Sequence, residues 1–139
     1  MVAVLTLIPL IGVFGTASYI YFNGVIWQEP VLMISGWWIA GMGITFGYHR
    51  LFAHRSFKAH PLVQFVAMLC GSAALQNTIL KWSSDHRNHH NNLDTEEDPY
   101  SITKGFFHAH IGWIFEDKPI EIKGVHDLEK NPIVMFQHK

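Results

Sequence analysis

Apolar residues fill the first third of the chain almost without interruption by charge. Glu29 is the single Asp, Glu, Lys or Arg before His49. The two uncharged runs, residues 1–22 and 31–48, are each long enough to cross a hydrocarbon core of roughly 30 Å at about 1.5 Å per helical residue. Residues 23–30, between them, contain the Asn-Gly pair and the proline of a tight turn. The pattern predicts a helical hairpin that spans a membrane.

Basic residues begin directly after the second apolar run and indicate its orientation. Arg50, Arg55 and Lys58 stand there, and the positive-inside rule places this end, and with it the N-terminus, on the cytoplasmic side. A secretory signal peptide is the rival interpretation of the first run. That run lacks a basic start and a second apolar run follows it, so the hairpin is favoured.

The later part of the chain is more polar, and its apolar stretches are shorter. Residues 62–75 predict a helix at the membrane interface or partly buried in protein, because they are few for a full span. Residues 94–99 have the acidic and proline composition of a solvated loop. Residues 101–115 are aromatic and suit a membrane-facing or packing surface. The predicted fold class is all-α, an integral membrane hairpin followed by interfacial and cytosolic helices over residues 49–139.

Composition narrows the classes of partner and chemistry. Hydrophobic residues make up 49% of the chain and charged residues 15%, which is too apolar for an ordinary small soluble domain. A net charge of -1 without a basic patch gives no reason to expect nucleic acid. Cys70 is the one cysteine, so we expect no disulfide framework and no thiolate cluster, and we predict a buried thiol. Gly43 and Gly47 have GxxxG spacing, which we attribute to the general frequency of glycine in membrane helices.

Histidine is the unusual residue, with ten copies, as many as Lys and Arg together. His86, His89 and His90 stand at i, i+3 and i+4, so on a helix they share an arc of about 100°. His49 and His54 lie about 140° apart around a straight α-helix. They meet at one centre only if the helix ends between them, and we predict that ending where the second membrane helix reaches water.

The two histidine groups together predict a metal site, because neutral imidazole is the commonest protein ligand for metals. Five nitrogen donors exceed the four of a structural zinc site, so two metals, or one metal with spare residues, fit the pattern. Imidazole donors without thiolate suit iron, copper, nickel or zinc, and the spacing does not choose among them.

Three segments resemble the membrane-bound fatty-acid desaturases, and within them the acyl-CoA delta-9 (stearoyl-CoA) type. They are GITFGYHRLFAHRSFKAH (residues 43–60), LQNTILKWSSDHRNHH (75–90) and EDPYSITKGFFHAHIGWIF (97–115). The resemblance implies a centre of two iron ions held by histidines, with O2 as co-substrate. It also implies an electron donor protein of the cytochrome b5 or ferredoxin type. The implied reaction introduces a cis double bond into a long-chain acyl group.

The resemblance also assigns roles to individual residues. His49 and His54 match the first histidine box, and His86, His89 and His90 match the second, which makes these five the expected metal ligands. Gln76, Asn77 and Trp82 are expected to line the acyl tunnel or its entrance. Asp85 is expected either to orient a histidine ring or to cap its helix. The remaining histidines are expected to be structural or exposed: His60, His108, His110, His126 and His138.

One departure from the family pattern bears on activity. The family has a third HxxHH box and a second pair of membrane spans, and this sequence contains neither. We therefore expect the chain to be the N-terminal portion of a desaturase that does not turn over alone, in a bacterial inner membrane or the endoplasmic reticulum. Two alternatives stay open: a related di-iron lipid hydroxylase, and a non-catalytic metal-binding membrane module. The acyl carrier, a thioester or a lipid, also stays open.

Overall fold

The computed structural model describes residues 2–116 and 121–139, and every regular element in these ranges is a helix. Two compact units divide the chain, the first reaching to Ser35 and the second beginning at Gly36. The prediction of an all-α fold is confirmed. The predicted first span starts at Met1, which lies outside the described residues.

Two helices are long and apolar enough to cross a membrane. The first, α1, covers Val2–Asn23, and the second is continuous over Gln28–Ala53. The second helix extends beyond the predicted span of residues 31–48 at both ends. Most of the large apolar side chains described in α1 are exposed, as lipid-facing side chains are, because hydrocarbon solvates them.

Glu29 organises the turn that follows α1. The Tyr19 hydroxyl donates to one oxygen of its carboxylate at 2.8 Å, and the Ile26 backbone N–H donates to the other at 3.3 Å. Gly24 has φ +73, a left-handed conformation that glycine adopts at little cost. The lone acid of the first third therefore stabilises a turn by accepting hydrogen bonds.

The second apolar helix changes its winding before it ends. Its first part, α2, covers Gln28–Met42, and the rest is a π-helix over Gly43–Ala53. In a π-helix each N–H bonds to the carbonyl five residues earlier, a winding that is rare in proteins and frequent at functional sites.

Helix α3, Pro61–Ser72, packs against this π-helix. A Cβ atom on Gly43 would lie 2.2 Å from the Gly71 backbone nitrogen, so the two backbones touch where both residues are glycine. The attribution of Gly43 to general glycine frequency is wrong, because this contact requires the absence of a side chain. A Cβ on Gly47 would be 3.1 Å from the Ala67 Cβ. The Cys70 thiol is half-buried, less than predicted.

Helix α4, Ile79–Asn91, carries the second histidine group. Thr78 caps it by accepting a hydrogen bond from the Lys81 N–H at 3.4 Å. Asp85 neither caps the helix nor contacts a histidine ring in the described contacts. It forms an ion pair with Lys81 one turn earlier, because residues at i and i+4 face each other on a helix. Both roles expected for Asp85 are therefore wrong.

Short helices complete the second unit. They are α5 (Phe106–His110), flanked by 3₁₀ turns at Ile102–Lys104 and Gly112–Phe115, then α6 (His126–Glu129) and α7 (Pro132–His138). The core side chains come from the π-helix, α3, α4 and the segment from Val125 to α7. This core contains Tyr48, Leu51, Phe52, Ala67, Met68, Ile79, Leu80, Val125, Leu128 and Val134.

The loop after α4 differs from its prediction at its last two residues, because Pro99 is half-buried as well as Asp98. Residues 94–97 are exposed, as a solvated loop predicts, but Asp98 is fully buried. The aromatic segment beyond it presents Phe106 and Phe107 as largely exposed side chains.

Candidate metal centre

Four histidines from two separate segments converge at one place. His49, His54, His86 and His90 each offer a ring nitrogen, and these four atoms all lie within 4.8 Å of one another. The Nε2 atom of His86 lies 2.9 Å from that of His54 and 3.1 Å from that of His90. Such mutual approach of nitrogen donors is the arrangement that a metal ion requires.

The π-helix explains how His49 and His54 reach the same centre. The His54 N–H donates to the His49 carbonyl at 2.9 Å, which stacks residue i+5 above residue i. Their ring centroids are 4.5 Å apart. The prediction that the helix ends between them is wrong, because the helix continues to Ala53 with a wider winding that aligns this spacing.

Helix α4 supplies the other two members from adjacent turns. The ring centroids of His86 and His90 are 4.6 Å apart, as the i, i+4 relation on a helix allows. His86 is half-buried and His90 is exposed, and the same alternation holds for His49 and His54. Within the described part of the chain, the cluster therefore has a half-buried inner side, His49 and His86, and an exposed open side, His54 and His90.

His89 stands beside this group of four. Its Nδ1 atom lies 2.8 Å from the Asp98 carboxylate, and its ring centroid is 5.6 Å from that of His90. A carboxylate on Nδ1 leaves Nε2 as the atom able to bind a metal. The structure therefore brings four of the five expected ligands together and holds the fifth nearby in a defined orientation.

Asp98 is the residue beside the candidate site that the sequence interpretation missed. Although burial alone would raise the pKa of its carboxyl, hydrogen bonds from the Tyr100 N–H, the Asp94 N–H and His89 lower that pKa. Asp98 therefore faces His89 as a carboxylate. Its position in a loop directly after the histidine helix was the available signal.

Trp82 forms one wall of the cluster. Its indole stacks on the His86 ring with centroids 4.7 Å apart, and its N–H donates to the Gln76 side chain at 3.2 Å. Asn77 has φ +75, and its carbonyl accepts a 3.4 Å hydrogen bond from the Tyr48 hydroxyl. Of the three residues expected near the acyl chain, Trp82 therefore contacts the cluster directly. Gln76 contacts Trp82, and Asn77 contacts Tyr48, the residue before His49.

The cluster favours neutral imidazole. Burial is the main cause that lowers the pKa of His86 to about 4, and repulsion by the neighbouring histidines is the second. Burial also lowers the pKa of His54. Neutral rings keep the lone pair that a metal needs, so protons compete weakly for the site at neutral pH.

The other histidines have partners away from the cluster. His60 accepts from Leu62 at the start of α3, His108 pairs with Glu116, His110 stacks on Phe106, His126 pairs with Glu129, and His138 bonds Thr78.

Sequence comparison adds named relatives to this geometry. No protein-family model matches the chain. An acyl-CoA Delta-9 desaturase of Acheta domesticus is 41% identical over 128 residues, which is 88% of this chain and 36% of that protein. A Delta(9)-fatty-acid desaturase of Caenorhabditis elegans is 40% identical over 119 residues, 81% of this chain and 35% of that protein. The chain is homologous to acyl-CoA desaturases over most of its length.

The matches also show how much of each relative the chain covers. The chain spans about a third of the length of these curated relatives. An acyl-CoA Delta(11) desaturase of Choristoneura rosaceana is 38% identical over 134 residues, 92% of this chain and 39% of that protein. This relative and the two above carry different double-bond positions in their names, so the similarity does not fix a double-bond position for this chain.

Proposed function

We propose that this chain forms part of a fatty acyl desaturase that introduces a cis double bond, at the delta-9 position, into a long-chain acyl group with O2 as oxidant. The observation that carries the proposal is the convergence of His49, His54, His86 and His90 within the segments that resemble desaturase histidine boxes. The named relatives support the same reaction class.

The donor set fits iron. The four nitrogens of the cluster are imidazole atoms with no thiolate among them, a set that suits iron. His89, with Nδ1 on Asp98, is the fifth donor and adds to the ligands available for a second ion. Bound iron would supply the oxidising chemistry with O2 that removes two hydrogens from neighbouring methylenes.

The protein's own residues hold, orient and shield this centre. Burial keeps the His86 pKa low, so the ring is a neutral donor, and Asp98 fixes the tautomer of His89 by accepting its Nδ1–H. Trp82 covers one face of the His86 ring by stacking on it. A chain of methylenes offers no polar group to grip, so apolar surface and shape must position it. We assign Trp82, with Gln76 and Asn77, to that contact.

The position of the cluster supports reaction at the membrane surface. His49 lies in the last turns of the second apolar helix and His54 directly follows it. We place this end on the cytoplasmic side because Arg50 lies in the last turn of this helix and Arg55 and Lys58 follow it. An acyl thioester or lipid would then reach the metals from the bilayer, and an electron donor protein of the cytochrome b5 or ferredoxin type from the aqueous side.

A chimaera tests the reaction class, because the chain spans about a third of its relatives. This chain would replace the matching segment of the Acheta domesticus enzyme in yeast that lacks its own desaturase. We expect unsaturated acyl products by mass spectrometry, and their loss in a His86→Ala version with unchanged expression. A His126→Ala version, altered outside the cluster, is the matched control.

Other products of the chimaera would assign other functions. Hydroxylated chains would indicate the lipid hydroxylase instead. A well-expressed chimaera that binds iron yet changes no lipid would indicate the non-catalytic metal-binding module.

A further inference from the structure

Arg87 connects the two segments that carry the histidine cluster. Its side chain is only 17% exposed although it is charged. On one side its Nε–H donates to the Ala53 carbonyl at 2.8 Å, and an Nη2–H donates to the Phe52 carbonyl at 3.1 Å. These carbonyls belong to the last residues of the π-helix, whose carbonyl groups have no N–H partner within the helix. A cation is favoured at such a C-terminal end.

The other side of the same guanidinium is held by the segment at α6. Asp127 accepts from Nη1 at 2.7 Å and from Nη2 at 3.0 Å, and the Gly124 carbonyl accepts from Nη1 at 2.7 Å. All five guanidinium N–H donors therefore have an acceptor. A planar fork with every donor used has a fixed position, which a flexible ammonium lacks.

The contacts of Arg87 lie immediately beside cluster members in the sequence. Ala53 precedes His54, and Arg87 itself follows His86, while the His54 and His86 rings approach to 2.9 Å. The guanidinium bonds backbone carbonyls and a carboxylate in its described hydrogen bonds, and none of these partners belongs to the cluster.

We infer that Arg87, held by Asp127, is a positioning residue that sets the distance between the first and second histidine groups and thereby the metal affinity of the cluster. This inference rests on the metal site proposed above. Loss of the fork would let the end of the π-helix, with His54 directly after it, move relative to α4 while the helices themselves stay folded. The two histidine groups could then no longer bind one metal ion at the same time.

The test is Co²⁺ titration of the full chain in detergent micelles, followed by the visible absorption of the bound ion. Arg87→Lys keeps the charge but not the fork, and Arg87→Gln removes the charge as well. We expect both to weaken Co²⁺ binding by roughly 10- to 100-fold, as loss of residues that orient metal ligands does, and to change the absorption spectrum. Asp127→Asn should weaken binding by a smaller factor, since the carbonyl contacts remain.

Two controls separate positioning from general stability. Arg55 reaches the same Asp127 carboxylate at 3.5 Å, but its side chain is 65% exposed, so Arg55→Ala should bind Co²⁺ like the unaltered chain. Val134 is fully buried in α7, so Val134→Ala should lower the melting temperature while keeping the Co²⁺ spectrum.

Three results would overturn the inference. Unchanged affinity and spectrum in both Arg87 variants would show that the fork does not position the ligands. An equal loss of affinity in Val134→Ala, at an equal loss of melting temperature, would show that stability alone is responsible. Failure of the unaltered chain to bind Co²⁺ would remove the proposed metal site itself, and the inference with it.

Discussion

At the scale of residues, burial sets the chemistry of the histidine cluster. His86 lies among three other cluster imidazoles, and a positive charge there would be poorly solvated and repelled. Asp98 illustrates the opposite case, since donors surround it and favour its charged form. Helix α4 and the loop after it thus provide a neutral nitrogen donor, His86, and an anionic hydrogen-bond acceptor, Asp98.

The pH dependence of stability should report this burial in the metal-free chain. The pKa of His86 falls from the ordinary 6.5 to about 4 on folding. Between these values the unfolded chain binds a proton that the folded chain does not, so stability should fall as pH drops from 6.5 toward 4. Thermal melting in micelles with a chelator measures this.

Substitution isolates the contribution of His86. His86→Gln should flatten the melting curve against pH over this window without removing the slope entirely, because the pKa of His54 is lowered as well. His126→Gln, an exposed site away from the cluster, should leave the slope unchanged. Equal slopes in the unaltered chain and His86→Gln would contradict the burial argument.

At the scale of elements, the close contact between the π-helix and α3 positions the first histidine group. The contact needs glycine on both sides: a Cβ on Gly71 would lie 2.3 Å from the Tyr48 ring, and one on Gly43 would meet backbone. Tyr48 directly precedes His49, and its hydroxyl also accepts a hydrogen bond from Gln137 of α7. The position of His49 therefore depends on packing several residues away.

Alanine at Gly43 should disrupt this contact. The new Cβ would lie 2.2 Å from a backbone nitrogen that cannot move cheaply, so we expect a loss of about 1–3 kcal/mol in the free energy of unfolding. Gly41→Ala, with nothing within 4 Å, is the matched control and should be neutral or slightly stabilising. Detergent-based equilibrium unfolding would compare them, and equal stability of the two variants would refute the close packing.

Sequence patterns predicted the helices that are determined by the residues of their own segment. Uncharged runs gave the two apolar helices, and the HxxHH spacing gave a helix with His86 and His90 on one face. The winding of the π-helix was not predictable, because on an α-helix the side chains of His49 and His54 would point in different directions. Asp98 was missed since its burial depends on a turn that folds back onto His89. Both failures concern contacts decided by tertiary packing.

At the scale of the whole molecule, the chain combines membrane-spanning capacity with a histidine cluster at the end of one apolar helix. It covers about a third of its desaturase relatives. His54 and His90 are exposed on the open side of the cluster. In the proposed enzyme that side is where further ligands and the acyl chain would approach.

X-ray absorption spectroscopy of the purified chain loaded with Fe²⁺ tests the central claim most directly. We predict imidazole scattering from several nitrogens, reduced by His54→Ala and equally by His86→Ala, because ligands from both segments share the centre. His110→Ala, which lies outside the cluster, should leave the spectrum unchanged. A spectrum that His86→Ala alters and His54→Ala does not would contradict the account, since the iron would then be held by α4 alone.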